Sequence, residues 1–366
     1  MPAPRSLRLY TTHNPAVDSQ IATLVSAFAD ERDRQLISEM VTSAYRLGQD
    51  GSSTGDLKIL NAALKELRFA FKMFKPYRHT RKVAMFGSAR MSQSHPAYPA
   101  AQTFGRLMAE AGWSVITGAA SGIMKAGHEG AGREASFGLN IRLPFEQSAN
   151  DVIALDHKLV NCKYFFTRKL LFIKESHATA LFPGGFGTLD EGFESLTLVQ
   201  TGKSDPRPVV FVDAPGGRFW QPLLQFFERQ LRDDGMISPT DCSIYHMSDS
   251  SEEAARFILR FYSTYHSLRY VGDRLAIRLQ RPLPPGSDAR LTREFRGLLK
   301  RGAIEQGGAL PGETDEPELR LLPRLVFAFN RKDYGRLQQL IYRINELGGA
   351  GGEPPAKRRR RRGGRR

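Results

Sequence analysis

Pro183-Gly-Gly-Phe-Gly-Thr-Leu-Asp-Glu191 joins a glycine-rich turn to a helix start that carries carboxylates, and it is the stretch of this chain best equipped for chemistry. Gly184, Gly185 and Gly187 open backbone conformations closed to other residues. Having no side chains, they also let a bulky anion reach main-chain N–H groups. The apolar, β-prone run at 178–182 reads as a strand buried in a parallel sheet. Thr188 is the expected N-cap of a helix from Leu189 to about Gly202, with Asp190 and Glu191 in its first turn. Free N–H groups and the helix dipole at that point favour a phosphate. A tight strand-to-helix turn would use the same glycines, but the Thr-x-x-Glu continuation favours the phosphate cradle.

Other nucleotide motifs fail at single positions. A dinucleotide fingerprint built on Gly185 and Gly187 needs glycine at 190, where Asp190 stands. Gly202-Lys203-Ser204 resembles the end of a P-loop, yet position 197 is Thr197 and the segment follows a helix instead of preceding one. There is no HExxH and no GxSxG, and the eight histidines are scattered, so zinc- and serine-hydrolase readings have no support. No metal site is expected.

The elements that must position the cradle alternate from Lys82 onward. Strands are expected at 83–86, 114–117, 137–143, 158–161, 178–182 and 208–212. Helices are expected near 98–111, 123–135, 166–176, 189–202, 219–231 and 252–262. This pattern predicts an α/β fold: a Rossmann-like, doubly wound parallel sheet whose ligands lie outside the carboxyl ends of the strands. Three of those ends carry small, polar or glycine residues: Gly87-Ser88-Ala-Arg90, Thr117-Gly118-Ala-Ala-Ser-Gly122, and 183–188. They are expected to line one pocket. Asp213-Ala-Pro-Gly-Gly217 reads as a turn.

The domain plan has four parts. Residues 1–80 read as a helical N-terminal extension, from apolar positions at helical spacing such as Ile21, Leu24, Val25 and Phe28. Residues 81–265 are the Rossmann-like domain. Residues 266–347 are an accessory C-terminal segment, with a strand at 274–279 and helices at 291–301 and 334–347, and 348–366 a disordered Gly/Pro- and Arg-rich tail.

The formal charge of +15 is concentrated in that tail: Lys357, Arg358 to Arg362, Arg365 and Arg366 carry eight positive charges, leaving +7 elsewhere. A solvated tail or a weak nucleic-acid contact through 357–366 both fit. Cys162 and Cys242 are too few for a disulfide framework or a four-cysteine metal site and suit a reducing compartment. The start, Met1-Pro-Ala-Pro-Arg-Ser, lacks a long apolar run and no stretch is long enough to span a membrane, so a cytoplasmic protein is expected.

Phe86-Gly-Ser-Ala-Arg90, Thr117-Gly-x-x-x-Gly-Ile-Met124, Arg168-Lys169 and Pro183-Gly-Gly-x-Gly-Thr-x-x-Glu191 together resemble the Lonely Guy family of nucleoside 5′-monophosphate phosphoribohydrolases. Arg168 lies fifteen residues before Pro183, which is also the family's spacing. The likeness covers about residues 82–232. It implies a homodimer or larger homo-oligomer that hydrolyses the N-glycosidic bond of a nucleotide such as AMP or an N6-modified, cytokinin-type AMP. It implies no cofactor, with Arg168 and Glu191 as the catalytic pair. Gly87, Ser88, Gly118, Gly122, Lys169, Gly184, Gly185, Gly187 and Thr188 would be the substrate and phosphate contacts, supported by Glu194. Members were often labelled lysine decarboxylases, but no lysine here is placed by motif to carry pyridoxal phosphate. The chain departs from short members in its thinner glycine run at 117–122, in the segment 140–147 and in the basic tail. A non-catalytic nucleotide sensor or carrier, and a nucleic-acid-associated protein acting through the tail, are the alternatives.

Overall fold

The computed structural model describes residues 10–142, 148–313 and 315–349. The basic tail and part of the 140–147 segment singled out above lie outside these. The chain divides into two compact units, 1–68 and 69–366. The first holds α1 (Pro15–Val25), α2 (Glu31–Gln49) and the start of α3 (Thr54–Phe74). Asn14 and Asp30 cap α1 and α2 by accepting main-chain N–H bonds through their side chains.

The second unit is built on a seven-stranded sheet. Its elements are β1 (Lys82–Phe86), α4 (Ala97–Glu110), β2 (Ser114–Thr117), α5 (Ile123–Ala135), β3 (Ser136–Ile141), β4 (Leu159–Cys162), α6 (Phe165–Glu175), β5 (Ala178–Leu181), α7 (Phe186–Gln200), β6 (Val209–Val212), α8 (Gln221–Phe226), β7 (Tyr245–Ser248) and α9 (Ser251–Phe261). The order is β4-β3-β2-β1-β5-β6-β7 and every pairing is parallel. β1, β2, β5 and β6 are buried along their whole length, as continuous apolar runs covered on both faces must be. The chain winds outward from β1 through β4, then returns to β5 on the other side of β1. The sheet therefore reverses between β1 and β5, the place where a doubly wound sheet opens a crevice.

Beyond α9 come β8 (Tyr265–Val271), β9 (Arg274–Leu279), α10 (Ser287–Glu294), β10 (Leu299–Gly307), β11 (Arg324–Phe329) and α11 (Tyr334–Leu347). The four strands form an antiparallel sheet ordered β10-β11-β9-β8. The helix expected at 291–301 is corrected: it ends at Glu294, and Leu299 begins a strand. Leu275, Ile277, Leu325, Phe327, Leu340 and Ile344 join this sheet to α11 in one apolar core. Buried Arg278 and Arg324 both bind the Glu313 carboxylate, at 2.8 and 3.1 Å. Among the described residues no helix is long and apolar enough to cross a membrane.

Candidate functional site

The cradle sits at the sheet's reversal point. The Phe182 N–H donates to the Phe86 carbonyl (2.9 Å) and the Ser88 N–H to the Pro183 carbonyl (3.0 Å), so the loops leaving β1 and β5 are sewn edge to edge. Helix α7 starts three residues earlier than expected, at Phe186, with Gly185 as its N-cap. Thr188 is therefore not the cap. The Gly185 carbonyl closes the first turn by accepting from the Thr188 and Leu189 N–H groups (3.0 and 3.1 Å), and no side chain caps the helix. Its first N–H groups have no partner within the helix. The buried Thr188 hydroxyl packs against Gly184, where an added methyl would meet it and would also lie 2.9 Å from the Ser88 nitrogen. Gly185 and Gly187 face open space.

The early start moves Asp190 and Glu191 out of the first turn, with Glu191 one turn deeper and 6% exposed. Burial lifts its pKa to about 7. Lys169 and Arg168 pull the value down, and Glu194 and Asp190 push it up. Lys169, expected to meet phosphate, instead sits among carboxylates: its ammonium lies 2.9 Å from Asp190, 3.0 Å from Glu194 and 3.8 Å from Glu191. Burial works against its charge, but the bonds to Asp190 and Glu194 outweigh that and hold its pKa up.

A carboxyl with a raised folded pKa binds more protons folded than unfolded, so its contribution to stability is greatest at low pH and is lost as pH climbs through 7. A shift from 4.5 to about 7 amounts to about 3 kcal/mol of penalty, absent well below pH 4.5 and complete above pH 7. Glu191→Gln should therefore raise Tm at pH 8.5, with the gain shrinking to nothing by pH 4. A gain independent of pH in calorimetry would refute this account of Glu191.

Arg168 is carried by α6 beneath the loop that leaves β2. Its Nε donates to the Leu139 carbonyl at 2.9 Å, and its guanidinium carbon lies 5.3 Å from the centre of the Phe172 ring. Burial lowers its pKa, opposed by the charge of Glu191. The guanidinium fills the space where Gly118 would carry a side chain: a methyl there would collide with Nη2 and lie 2.8 Å from Met124 Sδ. Gly122, with φ of 64°, lets the same loop turn into α5 against the Ser88 carbonyl, which accepts the Ile123 N–H at 3.0 Å. The expected loops thus converge on one edge: Gly87 and Ser88, Gly118 and Gly122, and Gly184 to Thr188.

Beside the cradle opens a cleft of about 580 Å³ bounded by Ser88, Met91, His95, Gly184, Asp213 and Phe219. The segment 213–217, read above as a turn, is its fourth wall. Asp213 is buried there and accepts the Trp220 N–H at 3.3 Å. Met91, His95 and Phe219 were missed because they lie past the glycine-rich ends. Their signal was position alone, just after the carboxyl ends of β1 and β6.

Residues 117–258 match the family described as possible lysine decarboxylase. The chain is 35% identical over 89 residues to the cytokinin riboside 5′-monophosphate phosphoribohydrolase LOG1 of Arabidopsis thaliana, covering 24% of this chain and 40% of that one. It is 34% identical over 99 residues to the cytokinin riboside 5′-monophosphate phosphoribohydrolase of Mycobacterium tuberculosis (strain ATCC 25618 / H37Rv), covering 27% and 51%. This segment is similar to the Lonely Guy family. The chain thus spans about half or less of the length of the curated Lonely Guy relatives it matches. Among solved structures, the molybdenum cofactor carrier protein of Chlamydomonas reinhardtii overlaps 50% of this chain and 97% of its own, at 20% identity and a TM-score of 0.36. The matched segment, 117–258, contains both Arg168 and Glu191 together with the cradle, while Gly87 and Ser88 precede it.

Proposed function

We propose that the protein hydrolyses the N-glycosidic bond of a purine nucleoside 5′-monophosphate, AMP or an N6-modified AMP, to the free base and ribose 5-phosphate. The observation that carries this reading is a buried carboxyl, Glu191, one turn behind a glycine turn whose Gly185 and Gly187 face open space, and within electrostatic reach of the buried Arg168. Cleavage of the bond builds positive charge on the ribose. A carboxylate at that point stabilises an oxocarbenium-like state, and with a pKa of about 7 it also takes a proton from the attacking water. In this reading the free N–H groups at the start of α7 and the Ser88 loop hold the phosphate, and the planar fork of Arg168 holds ribose hydroxyls or phosphate oxygens. Lys169 holds Asp190, Glu194 and Glu191 in place instead of meeting the substrate. The adjoining cleft is of mononucleotide size.

In the same reading, residues 81–265 are the catalytic domain and 266–347 an accessory segment. The protein is a homodimer, a view supported by exposed Phe165, Phe166 and Leu170 on α6 and Phe193 on α7. A panel of nucleoside 5′-monophosphates and the corresponding nucleosides, followed by chromatography of the released base, tests the substrate. The cradle requires that AMP be cleaved and adenosine be a poor substrate. Equal cleavage of both would remove the phosphate from the reading, and tight nucleotide binding without cleavage would make the protein a carrier.

A further inference from the structure

Ala119 is an alanine in the left-handed backbone region, with φ of 62°, at the centre of the loop that houses the Arg168 guanidinium. Glycine is the residue suited to such a position, and this chain lacks it there. Something must hold the loop in a conformation its own residue disfavours.

The holding groups lie behind the loop, away from the cradle, and are fully or almost fully buried: Thr117, His128 on α5, and Asn150. The Ala119 carbonyl accepts from the Asn150 main-chain N–H (2.8 Å) and from Asn150 Nδ2 (3.0 Å), which also donates to the Ala120 carbonyl (3.0 Å). The Ala119 N–H donates to Thr117 Oγ1 at 2.9 Å. The Asn150 amide also meets His128 Nδ1, with Nδ2 at 3.2 Å and Oδ1 at 3.4 Å. On its other side the ring's Nε2 lies 3.0 Å from Thr117 Oγ1 and 3.1 Å from the Phe137 carbonyl, so the imidazole joins Asn150 to Thr117. Burial lowers the His128 pKa to about 4 and keeps the ring neutral.

We propose that Thr117, His128 and Asn150 are positioning residues: a closed hydrogen-bonded clamp that forces Ala119 into the left-handed region and thereby keeps Gly118 open for the Arg168 guanidinium. The clamp touches the loop, not the substrate, and its catalytic consequence rests on the reading of Arg168 given above. It also accounts for the thinner glycine run, since the clamp supplies the conformation that a glycine at 119 would reach unaided.

The test is amide hydrogen exchange over residues 117–123 in the full chain, with AMP cleavage measured in parallel. Asn150→Ala should speed exchange in that segment at least ~10-fold, since it removes the two Nδ2 bonds to the Ala119 and Ala120 carbonyls, while β1 and β5 keep their protection. Adding Ala119→Gly to that variant should restore most of the protection, and with it kcat, because glycine reaches the conformation without the clamp. A merely structural Asn150 would not be rescued by a glycine elsewhere. Thr117→Val, almost the same shape, makes the same test if Asn150→Ala does not fold. Unchanged exchange in the single variants, or a double variant that exchanges like the single one, would overturn the clamp. Restored protection in a protein that cleaves no nucleotide would keep the clamp and reject the enzymatic reading.

Discussion

Glu191→Gln should lower kcat for AMP about 10³-fold while changing Kd for the nucleotide by less than ~3-fold. The substitution keeps the shape of the side chain and removes the charge and the proton site together. The neutral amide neither stabilises positive charge on the ribose nor takes a proton from water. As the proposed base Glu191 would act when ionised, so kcat should rise with pH through about 7, the value to which burial lifts it. The amide variant should lose that inflection. Single-turnover kinetics with radiolabelled AMP across pH 5–9 reads both effects. Retained turnover, or an unmoved pH inflection, would take the catalytic role from Glu191.

Arg168→Ala should cost about 10²-fold in kcat/KM, and Arg168→Lys should recover little of it. The guanidinium is fixed at one end by its bond to the Leu139 carbonyl and is seated in the notch left by Gly118, so its remaining N–H groups keep a set direction. An ammonium on a flexible stem restores the charge but not that fork. Gly118→Ala provides an independent route to the same loss, because its methyl collides with the guanidinium. Steady-state kinetics of the three variants should rank Arg168→Ala and Gly118→Ala well below the unsubstituted protein, with Arg168→Lys close to them. Full activity in Arg168→Lys would show that only charge matters at this position.

The alternation of strands and helices was legible because buried parallel strands are short apolar runs and amphipathic helices repeat every 3.6 residues. Strand β2 and helix α5 fall at the expected residues, and the other expected strand and helix limits from β1 to α9, apart from those of α7 and α8, lie within two residues of expectation, while β7 was not expected at all. Strand order was not legible. Pairing of Phe86 with Leu181 joins residues far apart in sequence, and nothing local encodes it. Thr188 misled because threonine favours caps, whereas the Gly185 carbonyl closed the turn on the backbone alone. Residues 296–301, Arg-Gly-Leu-Leu-Lys-Arg, hid a strand, since β10 lies at the edge of its sheet, where charged residues are the rule. At the site, residue types pointed to the glycines and to a carboxylate beside them, and the family resemblance pointed to Arg168 and Glu191 as a pair. They could not show that Lys169 is claimed by three carboxylates, because that depends on the placing of α6 against α7. Nor could they show that Asn150 reaches back to Ala119, which depends on the fold of the chain between β3 and β4.

The central claim is that this site breaks an N-glycosidic bond with Glu191. The most direct test is to incubate AMP with the protein and with Glu191→Gln, and to quantify adenine and ribose 5-phosphate together. Release of the two products in equal amounts by the unsubstituted protein, and almost none by the variant, is the predicted result. Release of inorganic phosphate without adenine, or equal adenine from both proteins, would contradict it.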